Sequence, residues 1–167
     1  MRYRRLARER SVQFLFQRDM NPHDSIEEEL DRFWASQTSA AIADDHKPSS
    51  WGEPAEPEPP TPEDTKVREF GDPLIRGVLE HLAEIDRIIV EQTSNWDIGR
   101  IAKVDRNVLR LAIYEMLHRE DIPPVVSINE AIDIAKKFST ENSGRFVNGI
   151  LDKIKSGLMR PARTPVN

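Results

Sequence analysis

The feature that most restricts the fold is a return of apolar residues every three or four positions, sustained through most of the chain. In "GDPLIRGVLEHLAEIDRIIVEQT" the residues Leu74, Ile75, Val78, Leu79, Leu82, Ile85, Ile88 and Ile89 fall on one wide face, as a helix covering a core requires. In "VDRNVLRLAIYEMLHRE", Val104, Val108, Leu109, Leu111, Ala112, Ile113, Met116 and Leu117 leave little polar circumference, which predicts a central helix. No run alternates with period two, the pattern a half-buried strand needs. The predicted fold class is therefore all-α, with six or seven helices.

The other elements follow from the same period. A helix is expected over residues 3–19, stopped by Asn21-Pro22, because proline disfavours helix at the residue before it. A second should run from Ser25 to about Gln37, with Ile26, Leu30, Phe33 and Trp34 inward and Asp24 or Ser25 as cap. Asp72 followed by Pro73 reads as the start of the third. Asp121 to Pro124 should end the central helix. Ser127 with Glu130 three residues on reads as a capping box opening "SINEAIDIAKKFS", whose stripe is Ile128, Ala131, Ile132, Ala135 and Phe138. "NSGRFVNGILDKI" supplies the last helix, with Phe146, Val147, Ile150, Leu151 and Ile154 apolar.

Between these elements, "KPSSWGEPAEPEPPTPED" holds six of the twelve prolines and few aliphatics. Such a segment cannot bury enough apolar area to offset its ordering entropy. The expected organisation is thus a basic arm and first helical pair over 1–37, an acidic disordered insertion over 38–66, a main helical segment over 67–157, and a flexible tail over 158–167, all in one domain. The insertion is either a tolerated addition or an acidic decoy for the basic arm.

Charge is segregated along the chain. Asp44 to Asp64 contains seven acids and one base, net −6, so the rest carries +1 of the overall −5. The first twenty residues hold six arginines against Glu9 and Asp19. Crowding of this kind marks either a solvated helix start or the footprint of an anionic partner such as RNA. No apolar run approaches the ~20 residues of a membrane span. The N-terminus lacks a secretory pattern, and there is no cysteine; a cytoplasmic address fits. Catalytic chemistry finds no foothold. His23, His46, His81 and His118 are scattered with no metal-ligand spacing, and His81 and His118 read as surface or boundary side chains. Phosphate-binding and nucleophile-elbow motifs are absent. The expectation is a non-enzyme with no cofactor and no metal.

Two stretches speak together: "RRLARERSVQFLFQ" at the start, and "VDRNVLRLAIYEML" with "PPVVSINEAIDIAKKFSTENSGRFVNGILDKI" near the end. The chain resembles the transcription antitermination factor NusB family over residues 3–20 and roughly 70–155. The "INEAI-x-x-AK-x-F" and "FVNG-x-LDK" elements are the specific part. The resemblance implies a bundle in two helical halves. It implies binding of the boxA element of ribosomal RNA leaders, jointly with the ribosomal protein NusE, and joining of the RNA polymerase elongation complex so that ribosomal RNA operons are fully transcribed. A homodimer in isolation is a further expectation. The alternative is a protein-interaction module for ribosome maturation without boxA specificity. A third reading, the RNA-binding part of a methyltransferase, is disfavoured by the chain length.

Residues then take roles. Arg2, Arg4, Arg5 and Arg8 offer phosphate-binding cations that cannot titrate away. Gln13 can read a base edge, and Phe16 either stacks on a base or belongs to the core. By resemblance, a second RNA surface comes from Asp105 and Arg110 on the central helix and Asn142, Arg145 and Phe146 on the last. Without the resemblance, Asp105 would read as a helix cap. Phe146 either stacks or fills the core, and Asn148 and Gly149 are assigned to helix packing. NusE is expected on the face opposite the first helix, near the central helix and the Asp121–Ser127 loop, with no individual contact residues assigned. The arm and the start of the last helix should form one groove for unpaired nucleotides.

Overall fold

The computed structural model describes residues 2–22, 25–38, 41–42, 59–93 and 98–158. Seven α-helices are present among them: α1 (Arg2–Met20), α2 (Ile26–Ser36), α3 (Pro62–Glu80), α4 (Leu82–Gln92), α5 (Lys103–His118), α6 (Pro124–Phe138) and α7 (Glu141–Gly157), with a 3₁₀ turn at Ile98–Arg100 before α5. No strand occurs among the described residues. The all-α expectation is met, and α5 is the central helix: it packs on α1, α3, α4, α6 and α7. Leu109 and Ile113 on α5 are fully buried, and Val108 and Met116 nearly so.

Several boundaries differ from the sequence reading. The third helix starts eleven residues before Pro73, at Pro62, because Thr61 and Asp64 form a complete capping box there. Residues 62–66 of the expected disordered insertion are therefore helical, while 39–40 and 43–58 of it, and 159–167 of the expected flexible tail, lie outside the described residues. Pro73 sits inside α3. An interior proline removes a hydrogen bond and crowds the carbonyl four residues back; burial of Leu74, Ile75 and Val78 at zero exposure offsets that cost. Asp72, expected as a cap, instead accepts from Trp34 Nε1 at 3.1 Å and from Arg76 Nε at 2.6 Å. His81 divides the stretch read as one helix into α3 and α4. Ser25 does cap α2, accepting from the Glu28 N–H. Ser127 does not open α6, which begins at Pro124. Phe138, placed in the apolar stripe of α6, is 36% exposed. Asn148 and Gly149 are exposed, with nothing within 4 Å of a Cβ placed at Gly149, so neither packs helices.

The N-terminal half is α1, α2 and α3. Phe14 meets Phe33 edge-to-face with centroids 5.3 Å apart, a favourable aromatic geometry. Gly71 lets α3 approach α1 and α2: a Cβ there would lie 2.7 Å from the Trp34 ring and 3.2 Å from Ser11 Oγ. The second half, α4 to α7, is joined to it by buried charge. Arg8 on α1 is 3% exposed and donates through Nε and Nη2 to both oxygens of Glu115 on α5, at 2.8–3.1 Å. Ser127 on α6 donates to the same carboxylate at 3.2 Å. Three helices thus meet on one ion pair.

A second knot closes the other end of α1. Asp19 accepts from Arg110 at 2.8 Å, Arg106 at 2.9 Å and Asn107 at 3.0 Å, all on α5. Arg110 also donates to both oxygens of Asp86 on α4 at 2.8 Å. Burial pushes the Asp19 carboxyl up, but the Asn107 amide and the Arg110 and Arg106 guanidinium groups more than offset this and hold it below the usual carboxylate range.

Two outcomes follow from these ties. Glu115→Gln or Arg8→Ala should lower unfolding stability by about 3–5 kcal/mol, the cost of leaving a buried charge unpaired, and Arg8→Met with Glu115→Leu should recover most of it; urea midpoints measure both. Asp19→Asn should cost about 1.5–3 kcal/mol at neutral pH, as charge-assisted hydrogen bonds do. Because the folded-state pKa is lowered, that stabilisation is present above the ordinary value and vanishes as pH falls through the folded value. The gap between wild type and Asp19→Asn should accordingly shrink below about pH 4.

Candidate nucleic-acid interface

The arginines of α1 divide into two groups. Arg2 is exposed. Arg5 keeps 42% of its side chain exposed while pairing with Glu130 and with Asp133 (2.9 Å) on α6. Arg4 is half-buried, with its guanidinium 5.0 Å from the Phe70 ring centre, a cation–π distance. Arg8 and Arg119 approach the same ring at 5.2 and 5.5 Å. Arg8 belongs to the interior, with its charge neutralised by Glu115. As a phosphate-binding cation it is corrected: at 3% exposure, with its charge matched by Glu115, it has almost no surface to offer a phosphate. The same correction applies to Arg110, 6% exposed and held by two carboxylates.

Asp105 is also internal. It is 7% exposed, its Oδ2 accepts from Ser143 Oγ at 3.1 Å, and its Oδ1 is buried without a partner. Burial pushes this carboxyl up, and the Ser143 hydrogen bond offsets part of the rise. In this position Asp105 ties α5 to the first turn of α7, where Thr140 caps by accepting from the Ser143 N–H. It presents no acceptor to a base.

Gln13 is half-buried and accepts from Arg10 at 3.2 Å. Phe16 is half-buried and lines a cleft between α1 and α2 with Phe14, Met20 and Phe33. On α7, Asn142 and Arg145 are exposed, and Phe146 is partly buried against the core.

The arm does not abut the start of α7 through its ion pairs, which run to α6; the first turn of α7 is tied to α5. The exposed face of α6 spans the interval. Glu9, one turn beyond Arg5, binds Lys137 at 3.0 Å. Lys136 and Lys137 are exposed, and Phe138 beside them lies under the Lys137 ammonium, 5.6 Å from ring centre to Nζ. Seven residues separate Glu130 from Lys137, about 10 Å along a helix. Ion pairs thus tie Arg5 and Glu9 on α1 to α6, the Lys136 side chain lies against Gly144 in the first turn of α7, and Arg2 and Arg145 are exposed at the starts of α1 and α7. The lysine pair and Phe138 escaped the sequence reading, although "KKF" before a capping "ST" carried the signal: two bases and an aromatic at a helix end.

The loop after α5 was expected opposite α1. Arg119 instead shares the Phe70 ring with Arg4, and Arg4 helps hold the Asp121 carboxyl below its usual range, after the larger effect of Arg119. The loop therefore lies at the N-terminal end of α1. Pro124 to Ser127, part of the stretch read as loop, already belong to α6.

Among the described residues, no helix is long and apolar enough to cross a membrane. The NusB family model matches residues 5–156. A transcription antitermination protein NusB of Geobacter sulfurreducens is 43% identical over 155 residues, 93% of this chain and 95% of the relative. That of Anaeromyxobacter dehalogenans is 44% identical over 157 residues, 94% of this chain and 92% of the relative. Among solved structures, T. maritima NusB superposes with a TM-score of 0.68 at 34% identity, covering 98% of this chain and 93% of that one. A chain from the crystal structure of antitermination factors NusB and NusE in complex with double-stranded RNA has the same fold, with a TM-score of 0.69 at 24% identity, covering 95% and 99%. The relatives carry a name for an action on transcription, not for a catalysed reaction, and on sequence and fold together the chain belongs to the NusB family of transcription antitermination factors.

Proposed function

We propose that the protein binds the boxA-type single-stranded leader of ribosomal RNA, in company with NusE, and travels with the RNA polymerase elongation complex in the cytoplasm to promote complete transcription of ribosomal RNA operons. The observation that supports RNA binding is the run of exposed cations along α1, α6 and the start of α7, with a half-exposed aromatic in its middle. Unpaired RNA is held by such a combination, cations along the phosphates and rings under the bases. Arg2, Arg5 and Arg145 would contact phosphate together with Lys136 and Lys137. Phe138 would stack, and Asn142 offers an amide to a base edge. Phe146, Phe16 and Gln13 are partly accessible and rank below these. Arg4, fixed over Phe70, orders the arm more than it meets RNA.

The existing ion pairs of Arg5 and Lys137 do not oppose this role. Exposed pairs contribute little stability, so both side chains can exchange a carboxylate for a phosphate. The NusE requirement rests on family membership and on the partner named for the structural relative.

Fluorescence anisotropy with boxA RNA and a scrambled RNA, with and without NusE, tests the proposal. Tighter binding of boxA that NusE strengthens further is expected; equal affinity for both RNAs removes the specificity and leaves a protein-interaction module. With three to five phosphate contacts, log K should fall against log salt with a slope of about −2 to −4, and Lys136→Ala with Arg145→Ala should flatten it by about 1.4 while helicity is retained.

A further inference from the structure

The four histidines are scattered in sequence, yet the fold brings two of them together. His81 stands at the break between α3 and α4, Glu84 lies one turn on in α4, and His118 is the last residue of α5. The two imidazoles stack with centroids 3.9 Å apart and planes 18° apart. Tyr114 extends the stack, 5.5 Å from His118 and 6.0 Å from His81. Glu84 faces both rings: Oε2 is 3.6 Å from His81 Nδ1, and Oε1 is 3.4 Å from His118 Nε2. One nitrogen of each histidine and one carboxylate oxygen lie within 4.8 Å of one another.

We propose that His81, Glu84 and His118 form a binding site for one Zn²⁺ ion, which would staple the α3–α4 junction to the end of α5. The donor set is the first argument. Two imidazoles and a carboxylate with an open position is an established zinc arrangement, and nitrogen-rich sets favour late first-row ions over Mg²⁺ or Ca²⁺.

Spacing is the second argument. Two ligands each about 2.0–2.1 Å from a tetrahedral ion stand about 3.4 Å apart. His118 Nε2 stands 3.4 Å from Glu84 Oε1 and His81 Nδ1 stands 3.6 Å from Glu84 Oε2, and one donor atom from each of the three residues lies within 4.8 Å of the others, so a small turn of the side chains closes the set to that edge. The two His–Glu distances are also longer than a strong hydrogen bond, so the nitrogens are not held by Glu84 in a way an ion would have to break.

Support around the site is the third. Gly77 on α3 leaves room for the Tyr114 ring, which a Cβ there would overlap. Tyr114 in turn backs the stacked histidines. The three ligands are 29–39% exposed, which leaves a path for the ion, a place for water as fourth ligand, and freedom for the rings to turn their lone pairs inward.

Untagged protein, stripped with a chelator, is titrated with Zn²⁺ by calorimetry and with Co²⁺ by visible absorption, with thermal midpoints followed alongside. One ion per chain is expected, with a four-coordinate Co²⁺ spectrum and a Zn²⁺-dependent rise in midpoint. His81→Gln and His118→Gln should each weaken binding by at least ~10-fold, the loss that even indirect support of a ligand carries. Glu84→Gln, which leaves the ring stack in place, should weaken it as well and keeps the test informative if a histidine variant unfolds. His23→Gln with His46→Gln should bind as wild type. Binding that survives at His81, Glu84 and His118 variants, or no binding at 100-fold excess of Zn²⁺, overturns the site.

Discussion

The buried pair of Arg8 and Glu115 is the contact on which the arrangement of this molecule depends. It joins α1 to the central helix, and Ser127 brings α6 onto the same carboxylate. With α1 fixed there, Arg5 and Glu9, three residues before and one after Arg8, fall beside α6 and pair with Glu130, Asp133 and Lys137. A buried ion pair contributes little net stability against an apolar replacement, yet breaking it is costly. Its value here is register: a one-residue slip of α1 would leave two charges unpaired in the core.

The same logic repeats at the far end of α1. Asp19 collects Arg106, Asn107 and Arg110, and Arg110 carries the link onward to Asp86. Helix α1 is thus held at both ends by charge and in its middle by apolar packing of Val12, Phe14 and Leu15. Such anchoring leaves its N-terminal cations at defined positions beside α6. A surface of fixed cations loses less entropy on meeting a flexible RNA than a mobile arm would.

Much of the fold was legible because it is written in the 3.6-residue period. Leu74 to Ile89 and Val104 to Leu117 declared core-facing helices without reference to any neighbour. Boundaries were harder. Asp72-Pro73 has the form of a helix start, but a stronger capping box at Thr61 competes from inside a proline-rich stretch. The site was half legible. An arginine's sign is evident in sequence, whereas its destination depends on which carboxylate the fold places opposite. Glu115 lies 107 residues from Arg8, and Asp86 lies 24 from Arg110; nothing local announces either. Phe138 shows the converse: its spacing matched the stripe, but α6 ends there and the ring is left partly exposed beneath Lys137. His81 and His118 met only because α3 breaks where α5 ends.

The central claim is a division of labour among the cations of one helix, with Arg8 holding the core and Arg2 and Arg5 facing RNA. Photo-cross-linking of boxA RNA carrying 4-thiouridine, with adducts located by mass spectrometry, tests it most directly. Adducts should cluster in residues 2–5 and 136–146, with none at Arg8. Adducts confined to the cleft between α1 and α2, around Phe16 and Met20, would contradict it.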